Sequence, residues 1–434
     1  MNFSRSTTGG VLALLVSALS IAASPVGAGT DSTHRIPDRI DRTGRADVTS
    51  QMQQFLASVP DGSVIEFPRG ARYRMEDTLE VRDRRDLTFE GHGATVFATT
   101  EGDRERSQWR IVGGAGIVFR NLIVRGANPQ GGIEEEAYRD DLEAQHGFEI
   151  AAVRNLELDR VTVTDVYGDF VLVGPNSPLT WSQNIWIHDS SFARNGRQGI
   201  AVTAGRNVVI ERNDIRQTRR STFDLEPNTA RGGAERIHIL DNTVGVGRLL
   251  FLASHGNGPV NDVVVSGNKL NGHVLNIDVV PAENDRRARF WITDNTSSTS
   301  SVTTPMRFWQ IDGVVIRDNT QPVERASEVG VRLNDVCGAR ITGNDFGLEK
   351  EPLRVTGDPC EARISMEPPP PPPIAGRDAT VDDGRSERRQ TTRDAEREDD
   401  GGNRTVVLTG VALLVIAVAV AVVLTRYRAR GRRS

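Results

Sequence analysis

Asp224 and Glu226 stand two residues apart in the run Phe223-Asp224-Leu225-Glu226-Pro227-Asn228. On an extended strand that spacing puts both carboxyls on one side, ~6.5–7 Å apart along the chain. The pair then sits near the low end of the ~6.5–9.5 Å separation that inverting glycosidases use for acid and base. One interval earlier comes Arg194-Asn195-Gly196-Arg197-Gln198-Gly199-Ile200, whose Arg197 and Gln198 can hold a sugar carboxylate or keep Asp224 ionised. Tyr167-Gly168-Asp169 and Gln145-His146-Gly147 precede it at further intervals. His146 and Tyr167 are able to move a proton at a sugar C5 or a leaving oxygen, and Asp169 adds a carboxylate. Asn228 follows the pair as a polar contact for substrate. The plain alternatives are a solvated carboxylate face and rings packed at a bend.

What positions these residues is a repeat. Two or three β-formers alternate and end in a polar pair, often with Asn: Val208-Val209-Ile210-Glu211-Arg212-Asn213, Ile237-His238-Ile239-Leu240-Asp241-Asn242, Val263-Val264-Val265-Ser266-Gly267-Asn268. Copies recur to Asn295, Asn319 and Asn344, so the steps from Asn213 are 29, 26, 27, 24 and 25 residues. Degenerate copies begin at Leu87, Ile117, Leu156 and Ile185. A period in the twenties is too short for a crossover helix and suits a solenoid whose turns stack ~4.8 Å apart. The pattern predicts an all-β parallel β-helix of about ten coils. Its asparagines are read as structural, passing side-chain hydrogen bonds from coil to coil.

Between the Asn bends lies a second set of strands. Phe148, Ile150, Phe170, Leu172, Ile200, Val202, Phe223, Leu225, Leu275, Ile277, Val331 and Leu333 are assigned inward by alternation. Outward on those segments come Glu149, Asp169, Gln198, Asp224, Glu226, Asn276, Asp278, Arg307, Arg332 and Asn334. This face carries carboxylates toward its middle and arginines toward the C-terminus. Glu149, Asn276, Asp278, Arg307 and Arg332 are therefore substrate-binding candidates, with Trp309 or Trp181 to stack a sugar ring. The longest coil, 39 residues from Ile117 to Leu156, includes an acidic insertion (126–145) placed to form a wall.

The two cysteines test the stacking. Asp335-Val336-Cys337-Gly338-Ala339-Arg340 and Asp358-Pro359-Cys360-Glu361-Ala362-Arg363 are one bend repeated 23 residues apart. Adjacent coils bring such positions within disulfide range, and an exported chain meets an oxidising compartment, so Cys337 and Cys360 are expected to be bridged.

Near the N-terminus, Asp47-Val48-Thr49 leads into a helix over Gln51 to Ser58. Asp61-Gly62-Ser63-Val64-Ile65-Glu66-Phe67-Pro68-Arg69-Gly70 follows, then Tyr73 and Leu87-Thr88-Phe89-Glu90-Gly91-His92-Gly93-Ala94. This resembles the cap and first coils of the pectin-lyase-like superfamily, with one extra residue between the Val and the Phe of its Gly-x-Val-x-Phe-Pro-x-Gly pattern. The resemblance spans Ile36 to Met366 and implies a right-handed β-helix. It is weak for activity, because that superfamily includes lyases, hydrolases, epimerases and binders. Ser254-His255-Gly256-Asn257 lacks the Asn-Thr-Asp, Asp-Asp and Arg-x-Lys elements that accompany a Gly-His-Gly in polygalacturonases.

The ends are read as targeting and anchoring. Arg5, the apolar run Val11 to Ala23 and Val26-Gly27-Ala28 make 1–28 a signal peptide. Residues 29–115 form the cap and first coils, and 116–366 the repeats. Residues 367–404, opening with Pro368 to Pro373, are read as an extended, disordered stalk. Residues 405–425 are long and apolar enough to span a bilayer, and the arginine-rich 426–434 follow as a cytoplasmic tail. A net charge of −5 with no basic stripe argues against nucleic acid. The composition calls for no cofactor and no metal: Asp169, Asp224 and Asp278 lie too many coils apart to share an ion. The reading is a surface-anchored protein that cleaves or epimerises an acidic polysaccharide, or a non-catalytic module that binds a cell-wall glycan. Oligomeric state stays open.

Overall fold

The computed structural model describes residues 32–374 and 377, apart from 177–179, 230, 283–285, 325–327, 348–352, 359 and 362. Three parallel sheets run its length, of 12, 10 and 11 strands. Each turn of chain adds one strand to each sheet, giving about eleven turns where the repeat count suggests about ten. The first sheet holds the regular copies, with Val208, Ile237, Val263, Phe290 and Val314 in register and fully buried. Like side chains stack in the core: the Phe89 and Phe119 rings lie 4.4 Å apart and 4° from parallel.

The asparagines form the expected ladder. Nδ2 of Asn213, Asn242, Asn268, Asn295 and Asn319 donates to Oδ1 of the next at 3.0, 3.0, 2.8, 2.9 and 2.8 Å. Each Nδ2 also donates to a carbonyl of the coil before, as Asn268 does to Ile239 at 2.9 Å. The preceding residue takes a left-handed conformation (Asp241 φ 52°, Asp294 φ 58°, Asp318 φ 55°), which turns the chain between sheets. Asp tolerates that region better than most residues, which explains the Asp-Asn pairs.

Both ends of the stack are covered or tied. The helix α1 (Thr49–Ser58) buries Met52, Phe55 and Leu56 over the first coil. At the other end Cys337 and Cys360 are disulfide-bonded, their Cα atoms 4.4 Å apart.

The proline-rich segment departs from the expected stalk. It runs back along the outside of the first sheet, where the outward line is apolar but for one histidine: Trp186, Val209, His238, Val264, Trp291 and Val315. Trp291 Nε1 donates to the Ser365 carbonyl at 3.1 Å, and Ile364 and Met366 pack on Val264, Trp291 and Val315. Arg317 binds Glu367 at 3.0 Å, Ile374 packs on Trp186 and Val209, and Arg377 clasps Glu211 through two 3.0 Å bonds. Extended around its six prolines, the chain from Met366 to Ile374 takes eight steps and reaches about 25 Å, close to five coil spacings. The assigned signal peptide, membrane span and tail lie outside the described residues. Among the described residues, no helix is long and apolar enough to cross a membrane.

A carboxylate-lined face on the third sheet

The third sheet carries the candidate site on the side away from the core. Its outward line reads Glu80, Arg110, Glu149, Leu172, Ala201, Asp224, Ala253, Asp278, Arg307, Arg332 and Arg354 in register. Carboxylates do give way to arginines toward the C-terminal coils. Alternation places one strand wrongly. Val171 and Val173 point inward and Leu172 outward, because Phe148 pairs with Val171. Asp169 and Gln198 therefore sit in the turn before the sheet, as does Asn276, whose amide is tied to Leu249 and Phe251.

Asp224 lies on the strand Phe223–Leu225, and Glu226 follows directly. Although they point away from the core, Ala201, Asp224 and Ala253 are 1, 2 and 2 % exposed, so the stretch is a sheltered floor. Burial, the neighbouring Glu226 and Asp169, and a hydrogen bond shared with Glu226 push the Asp224 carboxyl up to about 8. At neutral pH the Asp224–Glu226 pair thus holds a proton between its two carboxyls. Two expectations change. The carboxyls are in hydrogen-bonded contact rather than a water's width apart, and Arg197 does not keep Asp224 ionised.

Arg197 is committed elsewhere. Its Nη1 binds both oxygens of buried Asp169 at 3.0 and 2.9 Å, and its Nε binds Glu143 at 3.3 Å. Gln198 is a coil-to-coil clamp: its N–H donates to Asp169 at 2.9 Å and its Oε1 accepts from Ser221 N–H at 2.7 Å. Asp169 N–H donates to His146 Nδ1 at 3.0 Å, and burial holds His146 below its ordinary value. His146 is therefore neutral with its proton on Nε2. Gly196 permits this packing, since a Cβ there would meet the Tyr167 and Ala137 carbonyls at 2.4 Å.

Tyr167 is not brought to the pair; its buried hydroxyl feels Glu101, Arg139, Arg106 and Asp141. Glu149 is held by Arg110 and Ser107 at 2.7 and 2.8 Å. Asp278 pairs with Arg307 and lies 3.8 Å from His255, while Arg332 binds Glu328 at 2.7 Å. Trp309 is 42 % exposed, in register with Asn334. Asn228 is exposed beside Glu226.

The insertion supplies residues that the repeat pattern could not name. Tyr138 donates to Glu143 at 2.9 Å, and the Arg220 guanidinium lies 4.4 Å over the Tyr138 ring. The acidic run of that insertion was the only signal for Glu143.

Residues 111–300 match the family model described as a right-handed β-helix region. No curated protein matches. Among solved structures, the surface adhesin PfbA of Streptococcus pneumoniae aligns at TM-score 0.54 and 12 % identity, over 73 % of this chain and 87 % of that one. The endo-xylogalacturonan hydrolase of Aspergillus tubingensis aligns at TM-score 0.54 and 14 % identity, over 75 % and 95 %. The Yersinia enterocolitica family 28 exopolygalacturonase aligns at 0.53 and 12 %, over 77 % and 79 %. At such identities the likeness concerns fold alone.

Proposed function

We propose that this right-handed parallel β-helix, of the pectin-lyase-like superfamily, is an exported, membrane-anchored carbohydrate-active protein. In this reading it cleaves or epimerises an acidic polysaccharide along the third sheet. The observation that carries the reading is the Asp224–Glu226 pair, one carboxyl protonated at neutral pH beside a second that is more exposed. Glu226 takes the C5 proton while Asp224 gives its proton to the leaving oxygen on the same side, so that the C5–H and C4–O4 bonds break and a C4=C5 double bond forms. The close pair does not leave the room an inverting hydrolase keeps for water, so this same-side elimination fits it better than hydrolysis, and better than epimerisation, which needs a proton delivered from the opposite face. Arg307, Arg332 and Trp309 form the cationic and aromatic end that holds an anionic chain. A hydrolase and a surface adhesin of the same fold support a glycan partner in general terms. Export behind residues 1–28 and anchoring through 405–425 belong to the same proposal.

A second reading has its own support. Glu149, Asp169, Asp278, Arg197 and Arg332 are all paired within the protein, so none of them stands as a free base for turnover, which favours a non-catalytic binding module. The test is the full chain in detergent against a panel of acidic and neutral polysaccharides. New reducing ends with ultraviolet absorbance from unsaturated uronate identify elimination, and new ends without absorbance identify hydrolysis. A glycan retained without either identifies the binding module.

A further inference from the structure

A second cluster of titratable groups lies on the outside of the first sheet, far around the solenoid from the carboxyl pair. Asp159 ends the strand Arg154–Asp159, and His188 ends Ser182–His188 on the next coil, in register with it. Asp189 follows in a left-handed conformation (φ 49°) that swings its carboxylate back toward the imidazole. His188 Nδ1, one oxygen of Asp159 and one of Asp189 all lie within 4.8 Å of one another.

Three observations set the cluster apart from an ordinary ion-pair network. Asp159 is 3 % exposed, and its Oδ1 has no hydrogen-bond partner although it points at His188 Nδ1, 3.8 Å away. The other imidazole nitrogen, Nε2, faces Glu157 Oε1 at 3.4 Å, the carboxylate partner that a metal-binding histidine characteristically has. The ring is fixed by Trp186, stacked on it at 3.6 Å. With Nε2 as the donor, the Nδ1 lone pair faces the unpartnered Asp159 Oδ1 and Asp189 Oδ2, an arrangement that a bound cation satisfies.

We propose that His188 Nδ1, Asp159 Oδ1 and Asp189 Oδ2 bind one divalent transition-metal ion, with water completing its shell. The Nδ1–Oδ2 distance of 2.7 Å and Nδ1–Oδ1 distance of 3.8 Å bracket the ligand spacing around an ion with bonds of about 2.1 Å. A nitrogen ligand and only two carboxylates favour zinc or manganese over calcium, which takes six to eight oxygens. Arg160 holds Asp159 Oδ2 at 2.6 Å, and Arg212 forks both oxygens of Asp189 at 2.9 Å, so both carboxylates stay oriented. Their positive charge weakens the site: the ion shares Asp189 Oδ2 with Arg212, while Asp159 Oδ1 is open to it. The bound ion joins two coils beneath the Trp186–Ile374 contact, at the point where the proline segment ends.

The test uses the full chain in detergent, stripped with chelator, loaded separately with zinc chloride and manganese chloride, and desalted. Wild type is expected to retain one equivalent of one of these ions and to melt at a higher temperature with it. His188→Gln and Asp159→Asn are expected to retain less than a tenth of that and to lose the shift. Melting of the stripped forms shows which variants fold, and Asp189→Asn, at a more exposed position, serves if the buried changes do not. Failure of wild type to retain either ion, or retention of a full equivalent by the folded variants, overturns the proposal.

Discussion

Asp224 shares a side-chain hydrogen bond with Glu226, two positions along the chain, and with burial this contact pushes the Asp224 carboxyl up to about 8. Glu226 is the more exposed of the two.

A pH dependence of stability follows from the direction of that shift. The folded state holds Asp224 protonated up to about 8, against an ordinary value of 3.8. Its contribution is complete below the ordinary value and is lost as pH rises through the folded one. Wild type is therefore expected to lose stability between these limits in urea titrations at a pH series. Asp224→Asn is expected to flatten that slope and to be the more stable form at pH 9. An unchanged slope would contradict the shift.

The asparagine ladder is expected to be costly to break. Asn295 accepts from Asn268 Nδ2 at 2.8 Å and N–H at 3.1 Å and donates to Val265 at 2.9 Å. Asn295→Ala strands these buried groups and is expected to cost about 2–4 kcal/mol in urea unfolding. A change within about 0.5 kcal/mol, as at an ordinary surface site, would make the ladder incidental.

The proline segment is expected to loosen in acid. Under it, His238 is 2 % exposed between Val209 and Val264, with Arg377, Glu211 and Asp262 around it. Burial lowers its value from 6.5 to about 4, so the neutral ring's contribution is present above 6.5 and is lost as pH falls through 4. Pepsin cleavage within 363–377 is expected to accelerate over that window and to do so less in His238→Leu. Equal acceleration in both would place the acid response elsewhere.

Reduction is expected to release only the last coils. Cys337 and Cys360 close a loop with a separation of 23 residues, for which chain entropy gives about 3 kcal/mol. Amide exchange at Leu353–Thr356 is expected to rise in Cys360→Ala while exchange at Ala204–Glu211 stays unchanged.

The coil was legible because its bends repeat a chemically distinctive residue. Asn213 to Asn344 mark one face of the solenoid, and the two cysteine bends mark adjacent coils. Strand parity was legible where polar and apolar residues alternate, as at Phe223-Asp224-Leu225. It failed at Phe170-Val171-Leu172-Val173, where every residue is apolar and no parity is written. The partners of Arg197 were out of reach because Glu143 is 54 residues away, in an insertion outside the repeat. The docking of Pro368–Pro373 was hidden for a related reason. The line that receives it, from Trp186 to Val315, uses outward positions that form a mostly apolar stripe only when six coils are stacked.

The central claim is that Asp224 turns a glycan over rather than merely holding it. The direct measurement is Asp224→Asn beside wild type, on whichever acidic polysaccharide wild type retains, scoring product formation and bound glycan together. The account predicts a loss of turnover of about 10²–10⁴-fold, with binding nearly unchanged. Loss of binding in the variant, with no turnover by wild type on any glycan it retains, would contradict it.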